Sequence, residues 1–195
     1  MELDPKHILL SPVSITFLAF VSSAYLQLTL IYPTEAKLFP VYSMTASLMF
    51  LPHAVRVLAT GILGPRAFFV LLPAMAASEL LRTRSFAETF GGTSILFLVI
   101  GAACAPTGYI LLKRIIGDRF VFSELMLNWR YVFLTGIIAS AINSIGLVSV
   151  LVMPAEAVVV IQMLLRFFVG DIFGLFVGLV ILTYVFRILR NVKTA

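Results

Sequence analysis

Long apolar stretches, separated by short polar breaks, make up almost all of this 195-residue sequence. The stretches fall at about 8–32, 39–63, 66–82, 93–112, 131–153 and 157–189. Because a helix needs roughly 20 apolar residues to cross the hydrocarbon core of a bilayer, most of these stretches have the length of one crossing. The pattern predicts an all-α integral membrane protein, a bundle of about six transmembrane helices in a single domain that covers residues 1–195.

Prolines and glycines interrupt this pattern and predict broken helices. A proline removes a backbone hydrogen-bond donor and disfavours helix in the residue before it. We expect breaks within or between the stretches at Pro33, Pro40, Pro52, Gly64-Pro65, Pro73 and Met153-Pro154. The last stretch would be about 50 Å long as one helix, which is more than a single crossing requires. We therefore predict that it divides near Gly170 and Asp171, and that the protein has six to eight helices.

The composition agrees with a membrane protein and argues against binding of nucleic acid. Hydrophobic residues make up 61% of the chain and charged residues 12%, and the mean hydropathy is +1.09. In soluble domains about a quarter of the residues are charged. The net charge of +5 does not arise from a basic run with interleaved aromatic residues. We predict a lipid bilayer as the surroundings of the protein and no nucleic acid as partner.

Lysine and arginine lie mostly between the apolar stretches and predict the orientation. With both termini cytoplasmic, nine would lie inside, Lys6, Arg66, Lys113, Arg114, Arg119, Arg130, Arg187, Arg190 and Lys193, and three outside, Lys37, Arg82 and Arg84. Short loops rich in Lys and Arg stay on the cytoplasmic side. We therefore expect a multi-pass protein of the bacterial cytoplasmic membrane, with both termini in the cytoplasm.

Ionisable residues within or at the edges of the apolar stretches are the candidates for a site. They are His53, Arg56, Glu79, Arg166 and Asp171. A charge at the centre of a membrane helix costs at least about 2.5 kcal/mol, so each of these side chains should face protein or water rather than lipid.

His53 and Arg56 lie three residues apart and follow Pro52, and proline is a favoured first residue of a helix. A helix that begins there would direct its positive end into the membrane. With the Arg56 guanidinium one turn away, it could bind a carboxylate or a phosphate. The alternative is that Arg56 pairs with an internal acid or reaches the lipid headgroups. Glu79 and Arg82, also three residues apart, are most simply an ion pair at the membrane surface.

Two stripes of small residues predict close packing of helices. The first consists of Gly170, Gly174 and Gly178, and the second of Gly136, Ser140 and Ser144. Asp171 belongs to the first stripe, and we expect it to be buried with Arg56 or Arg166 as counter-ion. Asn143 lies beside the second stripe and indicates hydrogen bonds between packed helices, with contact to a polar substrate as the alternative.

Catalytic and metal-binding patterns are absent from the sequence. The single cysteine, Cys104, excludes an internal disulfide, and the two histidines are too far apart to suggest a metal site. The G-x-S-x-G elbow of serine hydrolases is missing. Asp171 is the one aspartate within the apolar stretches, whereas an intramembrane aspartyl protease needs two. We predict that the protein is not an enzyme and has no metal, and the sequence identifies no cofactor.

Two segments resemble a known family of membrane domains. LPHAVRVLATGILGPRAFFVLLPA and VGDIFGLFVGLVILTYVFRIL are similar to the first class of bacterial membrane-associated sensor (MASE) domains. The residues that carry the resemblance are Pro52, Arg56, Gly64, Gly170, Asp171 and Gly174. It implies a membrane sensor fused to a histidine kinase or to a cyclic-dinucleotide enzyme. Because this sequence ends at Ala195 without such a module, we expect a sensory or ligand-responsive module that acts through a separate partner protein.

Two alternative functions remain open. About six membrane helices in a small chain also resemble the substrate-binding subunit of energy-coupling-factor vitamin transporters, with the second stripe as a coupling face and His53 and Arg56 in a ligand pocket. The third possibility is a structural subunit of a larger membrane complex, whose glycine-rich and phenylalanine-rich faces pack on partner helices or on pigment and lipid.

Overall fold

The computed structural model describes residues 11–39, 47–117, 128–151 and 156–193, and all regular structure within them is helical. Five helical segments are long and apolar enough to cross a membrane, Pro12–Leu38, Pro52–Thr83, Ser94–Ile116, Trp129–Leu151 and Ala157–Ile188. The predicted fold class, an all-α bundle of a multi-pass membrane protein, is confirmed.

Within these ranges the chain forms seven helices. They are α1 (Pro12–Leu38), α2 (Pro52–Leu63), α3 (Ala67–Thr83), the short α4 (Phe86–Phe90), α5 (Ser94–Ile116), α6 (Trp129–Leu151) and α7 (Ala157–Lys193). α2 packs against each of the five other long helices, so the shortest membrane helix lies at the centre of the bundle.

The segment Pro52–Thr83 folds back on itself between α2 and α3. α2 ends at Gly64, whose φ of 62° is readily adopted by glycine alone, and a 3-10 turn precedes α3. Arg56 of α2 and Met75 of α3 both lie beside Gly101 of α5, although they would be about 28 Å apart on one straight helix. α2 and α3 are therefore antiparallel, and the described residues pass through the bundle six times.

The second pass combines a helix with a non-helical segment. α2 has 12 residues, or about 18 Å, which is too short for a crossing. Residues 47–50, which precede it, are not helical, and the Phe50 N–H donates a hydrogen bond to the Gly170 carbonyl oxygen (2.9 Å). The predicted break at Pro52 is thus present, and the backbone before it is satisfied by a neighbouring helix.

α7 is one continuous helix of 37 residues, so the predicted division near Gly170 and Asp171 is wrong. The segment contains no proline, and a glycine within a helix costs only about 1 kcal/mol relative to alanine. The backbone of Ser47 and Leu48 also packs against Gly170. At 1.5 Å per residue α7 is about 55 Å long, which exceeds the thickness of the hydrocarbon core.

Two predicted proline breaks are also wrong. α1 continues through Pro33 because a π-helical turn, Gln27–Ile31, precedes it, and such a wider turn accommodates the proline ring. Pro73 lies inside α3 without ending it. Pro40 and Met153-Pro154 lie outside the described residues, as do Lys6 and Arg119.

The two ends of the bundle differ in charge. At one end the turn Gly64–Arg66 meets Lys113 and Arg114 at the end of α5, and we call this the basic end. At the opposite end Tyr32 of α1, Glu79 and Arg82 of α3 and Ser94 of α5 surround the opening of a cavity, and we call them the mouth.

Candidate functional site

A cavity of about 500 Å³ extends from the mouth into the centre of the bundle. Its walls include the apolar side chains of Phe20, Phe50, Met75, Phe97, Leu98 and Leu147. Arg56 of α2, Asn143 of α6 and Asp171 of α7 line its inner end, and we call these three residues the floor. Apolar walls with a few convergent polar groups are typical of small-molecule sites, and the volume lies within their range.

Asn143 joins the two charged residues of the floor. Its amide nitrogen Nδ2 donates to Asp171 Oδ2 (2.8 Å), and its oxygen Oδ1 accepts from Arg56 Nη1 (3.3 Å). The residues Arg56 and Asp171 are 2% and 1% exposed, so both charged side chains are withdrawn from lipid. Arg56, one of the two arginines predicted as counter-ion of Asp171, is thus linked to it indirectly, through the amide of Asn143.

His53 holds the other side of Asp171. Its Nε2 lies 3.2 Å from the Gly136 carbonyl oxygen, and because a carbonyl oxygen accepts, Nε2 carries a proton. Its Nδ1 lies 3.5 Å from Asp171 Oδ2. Only when Nδ1 is protonated as well do the two side chains form a buried ion pair, so His53, rather than an arginine, lies directly beside the Asp171 carboxylate.

The Arg56 guanidinium is incompletely satisfied. Its hydrogen bonds to described residues all come from Nη1, to Asn143 Oδ1, to the Gly101 carbonyl oxygen (3.4 Å) and to Cys104 Sγ (3.4 Å). They are longer than the about 2.7–2.9 Å of a strong charge-assisted bond. Nε has no hydrogen-bond partner among the described residues. The guanidinium also lies over the Phe50 ring, 4.9 Å from its centroid, where a cation is favourable.

The glycines of the first stripe place the segment before α2 against the floor. A Cβ on Gly170 would overlap the Ser47 carbonyl oxygen, and a Cβ on Gly174 would overlap the backbone of Phe50. Gly178 faces Ala54 in the first turn of α2. The stripe therefore receives non-helical backbone as well as a helix, whereas the sequence suggested contact between two helices.

The second stripe packs inside the bundle. Gly136 faces Leu175 of α7 and Val57 of α2. Ser140 and Ser144 are buried, and Ser140 Oγ donates to the Phe168 carbonyl oxygen (3.0 Å). These contacts join α6 to α7, so this face is used within the chain.

Arg166 and Glu79 lie away from the floor. Arg166 is half-buried on α7, five residues before Asp171, and does not line the cavity. Glu79 forms a two-pronged ion pair with Arg82 at the mouth, as the spacing of the two residues suggests.

Sequence reasoning overlooked the groups that hold residues 47–51. Gln27 of α1 is buried, donates to Ser47 Oγ (2.9 Å) and accepts from the Leu51 N–H (3.1 Å). Glu35 accepts from Ser47 Oγ (2.9 Å) and from the Met49 N–H (3.0 Å). Gln27 was the available signal, because a buried amide within an apolar stretch needs hydrogen-bond partners.

Among the described residues no group of three or more His, Cys, Asp or Glu side chains is placed to hold a metal ion. Comparison with family models, with curated proteins and with solved structures finds no match for this chain. The function is therefore inferred from the geometry of the cavity.

Proposed function

We propose that this protein is a ligand-responsive module of the bacterial cytoplasmic membrane, which binds a small molecule in the cavity and acts through a partner protein. The observation that carries the proposal is the cavity itself, with an apolar wall and a buried polar floor. Three helices contribute the floor residues, so a molecule bound there touches α2, α6 and α7 at once. Such a molecule changes the packing of the bundle where its helices converge.

α7 is the route by which binding would be read out. It carries Asp171 on the floor, and it continues as one helix to Lys193, far beyond the length of a crossing. A displacement at the floor is transmitted along a continuous helix more directly than across a loop. In the proposed orientation the basic end, with Lys113 and Arg114, faces the cytoplasm, and the end of α7 would meet the partner on that side.

The same geometry weakens the argument for a transporter subunit. That alternative needed the second stripe as an exposed coupling face, but Gly136, Ser140 and Ser144 pack within the bundle. We also propose no catalytic step. The resemblance to sensor domains supports a binding role, and the cavity provides the place for it.

Filling the cavity tests the proposal. Ser78 lines the cavity and Ser149 is exposed outside it, and each hydroxyl donates to the carbonyl oxygen four residues earlier. Ser78→Phe and Ser149→Phe are therefore a matched pair. We expect native mass spectrometry of protein purified from its membrane to show a bound small molecule in the wild type and in Ser149→Phe, but not in Ser78→Phe. Retention of the molecule by a folded Ser78→Phe variant would overturn the proposal.

A further inference from the structure

The charge balance of the floor differs from that of an ordinary buried ion pair. Among the described residues Arg56 has no ion-pair contact with a carboxylate, and Asp171 lies beside His53, which forms an ion pair with it only when protonated. Asn143, which separates Arg56 from Asp171, is neutral. A buried cation without direct contact to an anion is costly, and Arg56 lies on the floor of the cavity. A ligand in the cavity can therefore supply the carboxylate that Arg56 does not contact directly.

Part of the Arg56 guanidinium is also left without a hydrogen-bond partner. Nε has no partner among the described residues, and the described hydrogen bonds all use Nη1. A guanidinium presents its nitrogens as a planar fork that matches the two oxygens of a carboxylate. The floor thus provides both the charge and the geometry for a carboxylate.

The surroundings limit the charge and the shape of that ligand. Asp171 belongs to the same floor, so a second negative charge on the ligand would face a carboxylate. The wall beside Arg56 includes Phe50, Phe97 and Leu147, which favour an apolar body. A phosphate monoester, which carries nearly two charges at neutral pH, fits this setting less well than a carboxylate does.

We infer that the ligand of the cavity is an amphipathic monocarboxylate, which binds Arg56 through its carboxylate and the aromatic wall through its apolar body. This inference rests on the proposed function, because it specifies the ligand class of the same cavity.

The first test compares acids with their own amides. The probes are a panel of monocarboxylates with aromatic or branched apolar bodies, each paired with its primary amide, and binding is measured by calorimetry on the protein in nanodiscs of neutral phosphatidylcholine. We expect acids to bind, and each binding acid to bind about 10- to 100-fold more tightly than its amide, as for hydrogen bonds to a charged group. Amides that bind as tightly as the acids overturn the inference but leave the proposed function standing. Absence of binding by acids and amides alike also overturns the inference, whereas the proposed function is decided by the mass spectrometry of the Ser78→Phe and Ser149→Phe variants.

Variants then identify the residue responsible. Arg56→Gln is expected to abolish the preference for acid over amide, and Arg56→Lys to retain part of it, because lysine keeps the charge but not the fork. Arg114→Gln, an exposed arginine at the basic end, removes the same charge away from the cavity and should leave the preference intact. Preference that survives in Arg56→Gln overturns the inference. If this variant does not fold, the comparison of acids with amides on the wild type still decides.

A membrane lipid could supply the same negative charge, and a change of nanodisc lipid separates the two sources. We expect replacement of phosphatidylcholine by anionic phosphatidylglycerol to change acid binding less than about threefold, a smaller effect than the acid–amide difference. Loss of acid binding in phosphatidylglycerol, together with stabilisation by that lipid that depends on Arg56, would assign the site to a lipid headgroup and overturn the inference.

Discussion

Arg82 at the mouth and Arg56 on the floor belong to the same cavity, but their surroundings are opposite. The Arg82 side chain is 54% exposed and makes a two-pronged ion pair with Glu79 on its own helix. Arg56 is 2% exposed and shares the amide of Asn143 with Asp171. One arginine therefore has a carboxylate and water, and the other has long hydrogen bonds and an aromatic ring.

The difference shows that the effect of an arginine on the stability of the fold depends on its surroundings. An exposed ion pair contributes about 0–1 kcal/mol, so the pair at the mouth is nearly neutral for stability. Removal of one partner from a buried charged network costs about 3–5 kcal/mol, because the remaining charge is left without compensation. A chain keeps such a network when packing alone supports it or when a ligand uses it, and the cavity beside Arg56 favours the second explanation.

The largest expected effect comes from removal of the buried carboxylate. Asp171→Ala leaves His53 and Arg56 without an anion on the floor, so we expect the free energy of unfolding to fall by about 3–5 kcal/mol. Glu79→Ala is the matched change at the mouth and should cost no more than about 1 kcal/mol. Both are measured by reversible unfolding in mixed micelles. An equal loss of unfolding free energy in the two variants would contradict the difference proposed between floor and mouth.

The next effect tests the close packing of the first stripe against the backbone before α2. A Cβ on Gly174 overlaps the backbone of Phe50, whereas a Cβ on Gly101 meets the end of the flexible Met75 side chain. We expect Gly174→Ala to destabilise by about 1–3 kcal/mol through overpacking, and Gly101→Ala to cost less because methionine repacks easily. Thermal unfolding of the two variants checks the order, and a greater loss in Gly101→Ala would contradict the role assigned to the stripe.

Double-mutant cycles sharpen the comparison of the two ends. Arg56→Gln combined with Asp171→Asn should show a coupling energy of about 1–2 kcal/mol, since both side chains share Asn143 and residues in one network couple by about 0.5–3 kcal/mol. Arg82→Gln combined with Glu79→Gln should show about 0.2–1 kcal/mol. Added salt should weaken the second coupling and not the first. A salt-sensitive coupling on the floor would mean that water and ions reach it freely.

Two exposed cysteine substitutions are expected to have the smallest effect on stability, and labelling them determines the orientation of the bundle. Lys37 and Lys113 are both exposed and lie towards opposite ends of the bundle, and the native Cys104 is buried. A membrane-impermeant thiol reagent applied to intact cells should label Lys37→Cys and not Lys113→Cys, if the basic end is cytoplasmic. The reverse pattern would place the mouth in the cytoplasm and change which side supplies the ligand.

Much of the fold followed from hydropathy, and part of the site followed from the free-energy cost of placing a charge in lipid. Apolar stretches of membrane length predicted the helices, and Pro52 predicted the start of α2. The burial of His53, Arg56 and Asp171 agrees with the expense of a charge in lipid, which depends on the residue itself. The division of α7 was predicted wrongly because its length was judged without knowledge of the packing around Gly170.

The sequence by itself determined that the protein is a helical membrane bundle and which side chains must avoid lipid, because hydrophobicity and charge act at each position independently of its partners. Only the tertiary structure decided which partners those side chains have. Asn143 between Arg56 and Asp171, and His53 beside Asp171, depend on the depth and rotation of three helices. A glycine stripe likewise predicts that another segment packs closely against it, and only the fold shows that this segment includes residues 47–50.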